Sequence, residues 1–316
     1  MPPRFFCAFG EMPSILFRKK LAMACCKMYV STSSNRQAME NIEQAMRGHP
    51  QVPLLHTFRD EHYDRVGYTL AGKCGSTASR ENFADAIVDM IRAAILNIDL
   101  QKQSGSHPRL GVVDNLCFHP LGKEASMDQA AELARSCARS IGAKLQVPTF
   151  LYGAASYENV PLDAIRRSLG YFKSAKPGIW QGSSNNTALS QPPQFGPAHF
   201  PASTGIITAG ACPWIANYNI PLQTGDLQAA RRIARSVSQR GGGLAHVQAM
   251  ALAHGVDSIE IACNLLDVHE TSPSSVQSFV EFLARDESSV ERVCLGYLTN
   301  LEEESILELA MEKMEP

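Results

Sequence analysis

The stretch Ser104-Gly-Ser-His-Pro-Arg-Leu-Gly-Val-Val-Asp-Asn-Leu-Cys-Phe-His-Pro-Leu121 brings a histidine, an arginine and an aspartate together where a glycine-containing loop enters an apolar strand. Pro108 pushes His107 out of the helical region, because the proline ring clashes with a helical backbone at the preceding residue. His107 and Arg109 then share one face of an extended segment. We therefore predict a strand over 110–117 whose entry presents side chains able to carry out chemistry.

Hydrophobic periodicity on both sides of this stretch predicts the order strand, helix, strand, strand, helix, strand, which then repeats on a smaller scale. Good N-caps mark several helix starts: Asn35 or Ser34, Ser126, Asp226, and Ser272 followed by a proline. This order is typical of an α+β fold built from two sandwiches, each a sheet with helices on one face. The predicted strands are 22–30, 54–58, 66–71, 110–117, 148–153, 206–210, 214–220, 244–253 and 258–266, and the predicted helices are 35–47, 80–97, 126–141, 162–169, 226–238, 272–284 and 302–315.

Composition excludes several classes of function. The 316 residues are 45% hydrophobic and 19% charged, which suits one large or two moderate globular domains. The formal net charge of −2 gives no basic field to attract nucleic acid or an acidic membrane surface. The apolar runs are far shorter than the roughly 20 residues needed to span a bilayer. We therefore predict a protein that binds neither nucleic acid nor membranes.

The 9 cysteines are scattered and odd in number, and no pair has Cys-x-x-Cys spacing. This pattern argues against a disulfide framework and against a zinc site, so we predict free thiols and no metal. Residues 172–197 are rich in Pro, Gly, Ser, Asn and Gln, which predicts a long functional or mobile loop. Residues 1–20 mix basic and large apolar side chains, so we predict an N-terminal extension over 1–21, with an organelle-targeting segment as the alternative interpretation. A cytoplasmic location is the simpler expectation.

His107-Pro-Arg-Leu-Gly111, with Asp114 and the following Phe118-x-Pro120, resembles the signature of the formiminotransferase domain of glutamate formiminotransferase. The resemblance covers roughly residues 22–283 and leaves no room for the cyclodeaminase domain of bifunctional relatives. It implies two ferredoxin-like subdomains, 22–211 and 212–316, whose sheets face one another across a folate tunnel. It also implies tetrahydrofolate as co-substrate, no metal, and a possible homodimer.

The resemblance also implies roles for residues around the motif. Moving a formimino group from glutamate to N5 of tetrahydrofolate needs a base near neutral pH, and His107 aligns with the family's base. Arg109 and Arg65 are implied carboxylate clamps, since a guanidinium can pair with a carboxylate through two hydrogen bonds. Asp114 could orient His107 or hold a protonated intermediate, or it could be a turn residue.

A second resemblance lies in Phe195-Gly-Pro-Ala-His-Phe-Pro-Ala-Ser-Thr-Gly205, which is similar to the family's folate-contacting loop. Its glycines would let backbone approach a flat pterin, and its phenylalanine would pack on a ring. Asn219, in a strand ending similar to the family's Asn-Ile-Asn-Leu, is a candidate polar residue of the tunnel. The folate contacts implied in the loop are Gly196, Pro197, Phe200, Ser203, Thr204 and Gly205.

Two departures from the family pattern leave the function open. His56-Thr-Phe58 stands where the family usually has Asp-x-Asp, although Asp60 or Asp64 could substitute from a shifted position. Ala211-Cys-Pro213 stands where the family has alanine followed by basic residues. The leading hypothesis is a glutamate formiminotransferase-like transferase. The alternatives are a folate-binding protein without transferase activity, and a transferase that uses a different donor.

Overall fold

The computed structural model describes residues 22–173, 180–181 and 189–314, and it shows an α+β fold with two large sheets. The seven helices of the described residues are α1 (Arg36–Ala45), α2 (Thr77–Asn97), α3 (Met127–Leu145), α4 (Leu162–Ser168), α5 (Leu227–Val237), α6 (Pro273–Ala284) and α7 (Glu303–Met314). The strands are β1 (Met23–Val30), β2 (Leu54–Asp60), β3 (Arg65–Lys73), β4 (Ser104–Gly105), β5 (Val113–Leu121), β6 (Thr149–Gly153), β7 (Trp180–Gln181), β8 (Ile207–Ala211), β9 (Ala216–Gln223), β10 (Val247–Ala253), β11 (Ser258–Leu265), β12 (Arg292–Val293) and β13 (Tyr297–Leu298).

The first sheet has six strands in the order β2-β3-β1-β5-β8-β6. β1 pairs antiparallel with β3 and β5, whereas β8 pairs parallel with both β5 and β6. Successive side chains of a strand point to opposite faces, so β1 divides its residues between two environments. Its even-numbered apolar residues, among them Met28 and Val30, pack into the core with α1, α2 and α3. Lys27 and Tyr29 point to the opposite face, which therefore can carry polar chemistry.

The second sheet is antiparallel, in the order β10-β11-β9-β12, with β13 also paired to β9. Its core joins strand residues such as Ile220 and Ile261 to Ile233 of α5 and Val276 of α6. The chain then returns to the first sheet, where Ile306 and its neighbours on α7 pack against the face opposite α1–α3. The C-terminal helix thus covers part of the face on which Lys27 and Tyr29 lie.

The predicted α+β class is confirmed, and the predicted elements occur in the predicted order, with four short strands added: β4, β7, β12 and β13. The expectation that each sheet has helices on one face only is wrong for the first sheet, because the apolar residues of α7 cover part of its other face. The N-caps Asn35, Ser126, Asp226 and Ser272 each accept backbone hydrogen bonds as expected. Two strands are displaced: the strand predicted over 214–220 runs over Ala216–Gln223, and the strand predicted over 110–117 runs over Val113–Leu121. The backbone just before β5 forms hydrogen bonds outside the regular ladder with β1. Pairing with β1 continues to Leu121, so β5 begins and ends later than its apolar pattern predicts.

Two expectations concern residues that the structure covers in part or not at all. Half of the predicted loop over 172–197 lies outside the described residues, but Trp180–Gln181 forms a short strand that pairs with Ser104–Gly105. The long segment therefore meets the chain just before His107. The extension 1–21 lies outside the described residues. Among those that are described, no helix is long and apolar enough to cross a membrane.

Candidate functional site

A cavity of about 1090 Å³ lies between the two sheets and is lined by residues of both. Ligand pockets for molecules of drug size or cofactor size commonly have volumes of roughly 300–1,000 Å³. Tyr29 and Asn115 come from the first sheet, and Asn217 and Asn219 from the second. The Tyr29 hydroxyl donates a 3.1 Å hydrogen bond to Asn217 Oδ1 and so links the two sheets within the cavity. The fold thus creates a space large enough for an extended, partly polar ligand.

The loop that carries His107 is held close to the turn between β2 and β3. Gly105 is required there, because a Cβ atom at this position would lie 2.4 Å from both Arg109 Nη2 and the Tyr63 carbonyl oxygen. Only a glycine allows such a close approach of backbone and side chain. The glycine before the His-Pro pair therefore fixes the position of the loop on the cavity wall.

His107 lines the cavity, and its Nδ1 atom lies 2.8 Å from the carbonyl oxygen of Pro108. A carbonyl only accepts, so Nδ1 carries the hydrogen and Nε2 holds the lone pair. Burial lowers the pKa of His107 well below its usual value and Arg65 lowers it further, against the opposing effect of the Pro108 hydrogen bond. The imidazole is therefore neutral near pH 7. Its ring is held edge-on by Tyr63 at 5.4 Å and Tyr171 at 6.4 Å between centroids.

Behind His107, one buried carboxylate binds two arginines. Asp114 Oδ2 accepts from Nη2 of Arg65 at 2.8 Å and from Nη2 of Arg166 at 3.0 Å, while Oδ1 accepts from the Leu110 amide at 2.8 Å. Burial raises the pKa of Asp114, but the two guanidinium groups and these hydrogen bonds outweigh it and hold the pKa below its usual value. Two guanidinium groups against one carboxylate leave one surplus positive charge. Because Arg65 and Arg166 both line the cavity, that charge is available to an anionic ligand.

Arg109 has a different environment from the one its motif implies. Its guanidinium is buried and does not line the cavity; it donates to the Tyr63 carbonyl at 2.7 Å and pairs with Asp64 Oδ2 at 3.4 Å. Arg109 therefore joins the His107 loop to the turn between β2 and β3. Sequence spacing put Arg109 beside His107, but only the fold shows which way its side chain points.

The loop 196–205 also lies outside the cavity lining of the described residues. Gly196 and Pro197 abut α3, and Phe200 packs with Phe150 and Ile206. The carbonyls of Ser203 and Thr204 accept from the amides of Leu100 and Val112, both 2.8–2.9 Å away, and Gly205 adopts a positive φ of 71° beside Gly111. Its glycines bring backbone close to the protein itself, and the loop supports the segment that carries His107.

Of the residues selected from the sequence, the structure brings Arg65, His107 and Asn219 to the cavity and places Asp114 directly behind Arg65. Sequence reasoning missed Arg166, which lies in an ordinary-looking amphipathic helix with no motif around it. It also missed the buried network around Glu260, apart from Asn219 and Asp60, because the network joins separate segments of the chain. No local sequence pattern marks a carboxylate that becomes buried, so the sequence could not reveal the role of Glu260.

The Glu260 network joins the two sheets. Its carboxylate accepts from the Tyr63 hydroxyl at 2.5 Å, from Tyr297 at 2.7 Å and from Asn219 Nδ2 at 2.9 Å. His254 lies 3.5 Å from the same carboxylate and 2.9 Å from Asp60 Oδ2. Asp60 ends β2 of the first sheet and Tyr63 lies in the turn that follows, whereas Asn219, Glu260 and Tyr297 belong to the second sheet and His254 directly follows β10. The network therefore ties the two sheets together at one end of the cavity.

Two groups in the described part of the chain bring metal-ligating atoms within 4.8 Å of one another: Asp60, His254 and Glu260; and Cys117, His119 and Cys212. In the first group, the oxygens of Glu260 are already hydrogen-bonded. In the second, the buried Lys27 lies directly opposite Cys117 on β1, and its charge opposes a cation. The ligating atoms of both groups thus have hydrogen-bond partners within the protein.

Replacing His254 with asparagine is expected to destabilise the protein more at low pH than at high pH. Burial lowers the pKa of His254, but the hydrogen bond to Asp60 and the charge of Glu260 outweigh it, so the net pKa is raised. A raised folded-state pKa contributes stability that is fully present below the unfolded value of about 6.5 and is lost as pH rises through the folded value. Urea denaturation at pH 5.5 and pH 9 measures this, and an equal loss at both would contradict it.

Comparison with known proteins agrees with the sequence resemblance. The family description "Formiminotransferase domain, N-terminal subdomain" matches residues 23–212. The "Formiminotransferase cyclodeaminase-like protein" of Arabidopsis thaliana is 44% identical over 92% of this chain and 97% of its own length. A "Glutamate formimidoyltransferase" of Thermoplasma acidophilum is 26% identical over 79% of each chain. The "Formimidoyltransferase-cyclodeaminase" of Rattus norvegicus is 27% identical over 79% of this chain, which spans 45% of that relative.

Proposed function

The chain belongs to the formiminotransferase family, and from that premise we propose that it binds a reduced folate between its sheets and transfers a one-carbon group to it. The proposed donor is N-formimino-L-glutamate and the proposed acceptor is N5 of tetrahydrofolate. The observation that carries the proposal is the state of His107: a neutral imidazole on the cavity wall, with its Nδ1 hydrogen committed and its Nε2 lone pair available as a base.

In the proposed reaction, N5 of the folate attacks the formimino carbon and forms a tetrahedral intermediate. His107 Nε2 takes the proton from the attacking amine as the new C–N bond forms. It returns a proton to the glutamate nitrogen as the old C–N bond breaks. The lowered pKa of His107 suits the first step, because the imidazole begins as a base at neutral pH.

The surplus charge of Arg65 and Arg166 supports binding of a substrate carboxylate, since charge-assisted hydrogen bonds to arginine are strong and directional. In this proposal Asp114 holds the two arginines in place, and Arg109 positions the His107 loop without touching substrate. Asn219 would contribute a polar wall opposite them. We also propose that the two sheets are the ferredoxin-like subdomains 22–211 and 212–316, that the cavity is the folate tunnel, and that the loop 196–205 supports the site from behind.

A second candidate function is folate binding without formimino transfer from glutamate. Phe58, at a position where the family usually carries an aspartate, lines the cavity, and its ring lies 6.5 Å from that of Tyr297. Cys212 and Pro213 stand where the family has basic residues. A phenyl ring in place of a carboxylate makes this part of the wall apolar. The donor would then differ from formiminoglutamate, or no donor would bind.

Calorimetric titration with tetrahydrofolate, first alone and then with formiminoglutamate present, tests the proposal. If the protein is a transferase, we expect saturable folate binding followed by heat from turnover.

Replacing Arg166 with methionine should weaken the donor's apparent affinity by about 10- to 100-fold, because a hydrogen bond to a charged group contributes roughly 1.5–3 kcal/mol. Asp114 stays paired with Arg65 in this variant, so the fold should persist.

The matched control is Arg139→Met, which removes an arginine of α3 that lies over Phe195, away from the sheet interface. It should bind both ligands as the wild type does. Folate binding without any response to the donor would instead support the second candidate. Absence of folate binding in well-folded protein would contradict both, because the family resemblance would then report fold alone.

A further inference from the structure

Cys117 and Cys212 are adjacent thiols on the cavity-facing side of the first sheet. Cys117 lies on β5 and lines the cavity, and Cys212 is the first residue after β8. Their Sγ atoms are 3.3 Å apart, so one thiol can donate a hydrogen bond to the other sulfur. Neither belongs to a Cys-x-x-Cys motif. The sequence separation of 95 residues hid this pair, and the pairing of β5 with β8 creates it.

The surroundings of this pair favour a thiolate on Cys117. Lys27 is its direct cross-strand partner on β1, and the Lys27 ammonium is held between the carbonyl of Ile215 at 2.7 Å and the ring of Trp214 at 4.3 Å. The hydrogen bond from Cys212 lowers the pKa of Cys117 well below its usual value, and His119 and Lys27 act in the same direction. The Cys212 thiol donates that bond, so its own pKa is raised.

Cys74 and Cys263 lack these neighbours and differ accordingly. Burial raises the pKa of Cys74 to about 11 and that of Cys263 to about 12. Such thiols stay protonated and behave as small apolar side chains. The contrast marks Cys117 as the nucleophilic cysteine and Cys212 as the thiol placed to react with it next.

We propose that Cys117 and Cys212 form an oxidisable dithiol that closes to a disulfide when a peroxide reaches the cavity. The Cys117 thiolate attacks one peroxide oxygen, the O–O bond breaks, and a sulfenic acid and hydroxide form. The Cys212 thiol then gives its proton to that hydroxide, which becomes water, and its sulfur attacks the Cys117 sulfur. The S–O bond breaks and a second hydroxide leaves. Two thiols have lost two protons and two electrons, and the peroxide has been reduced to two waters.

The position of the pair gives the disulfide a structural consequence. Residues 212–215 connect β8 of the first sheet to β9 of the second, and His119 Nδ1 donates to the carbonyls of Cys212 and Pro213 at 3.1 and 2.9 Å. A bond from Cys212 to Cys117 would fasten this connection to β5. Because Cys212 lies beyond the end of its strand, local rotation can close the remaining gap to the roughly 2 Å of a disulfide.

The test treats the reduced full-length protein with limiting hydrogen peroxide, traps free thiols with an alkylating reagent and maps the peptides by mass spectrometry. We expect a Cys117–Cys212 cross-linked peptide, an intact mass lower by two hydrogens, and reversal by dithiothreitol. In the untreated protein Cys117 should be alkylated at least about 10-fold faster than the buried Cys263, since the thiolate is the reactive form.

Three variants make the result decisive. Cys212→Ser should abolish the cross-link and let Cys117 retain oxygen, whereas Cys117→Ser should abolish both. Cys294→Ser, which removes a similarly half-buried cysteine next to the second sheet, should form the cross-link as the wild type does. Oxidation of Cys294 while Cys117 and Cys212 stay reduced would overturn the proposal. So would a cross-link from Cys117 to Cys25, or zinc bound to the purified protein that protects both thiols.

Discussion

Replacing His107 with alanine is expected to lower kcat for formimino transfer about 100- to 10,000-fold while the Kd for tetrahydrofolate stays within about threefold of wild type. A positioned general base contributes rate enhancement of this size, and it acts on the proton in transit rather than on the bound folate. His107 has the required neutral state because burial and Arg65 lower its pKa. Steady-state kinetics with formiminoglutamate, together with calorimetry for the folate, measure the two quantities.

The control for this experiment is His199→Ala, since His199 is exposed on the loop 196–205 and does not line the cavity. It should leave kcat and Kd unchanged. If wild type transfers and the His107 variant retains full activity, the assigned mechanism is wrong. If folate binding falls together with kcat, His107 acts in binding and the general base lies elsewhere.

Replacing Asp114 with asparagine is expected to lower the free energy of unfolding by roughly 3–5 kcal/mol, because removing one partner of a buried ion pair leaves uncompensated charge. Here two guanidinium groups, Arg65 and Arg166, lose the one carboxylate that they share. Asparagine keeps the volume and an acceptor for the Leu110 amide, so the loss reports charge rather than packing. Urea denaturation at pH 7 measures the difference.

The pH dependence of this effect has a defined sign. The pKa of Asp114 is held below its usual value in the folded protein, so its contribution is present above the unfolded value of about 3.9 and is lost as pH falls through the folded value. Adding Arg166→Met to the Asp114→Asn variant should recover part of the stability, since it removes one of the two unpaired charges. A single variant within about 1 kcal/mol of wild type would show that the arginines find other partners or solvent.

Much of the local structure could be predicted from the sequence because its causes are local. Ser126 caps α3 as its side chain predicts, and Asp226 caps α5 in the same way, since each hydroxyl or carboxylate bonds to amides within three residues. The strand β5 was displaced from its prediction because its limits are set by pairing with β1, a partner about ninety residues earlier in the chain. Hydrophobic pattern gives the existence of a strand, whereas its ends depend on its neighbours.

By itself the sequence determined the α+β class, most helix starts, the family signature and the importance of the His107 loop, because Pro108 and the flanking glycines act on their own backbone. Only the tertiary structure decided which side chains meet. It turned Arg109 toward Asp64, brought Arg166 to Asp114, and set Cys117 beside Cys212. The physical reason is that burial and charge pairing depend on residues far apart in sequence, which become neighbours only when strands pair and sheets face each other.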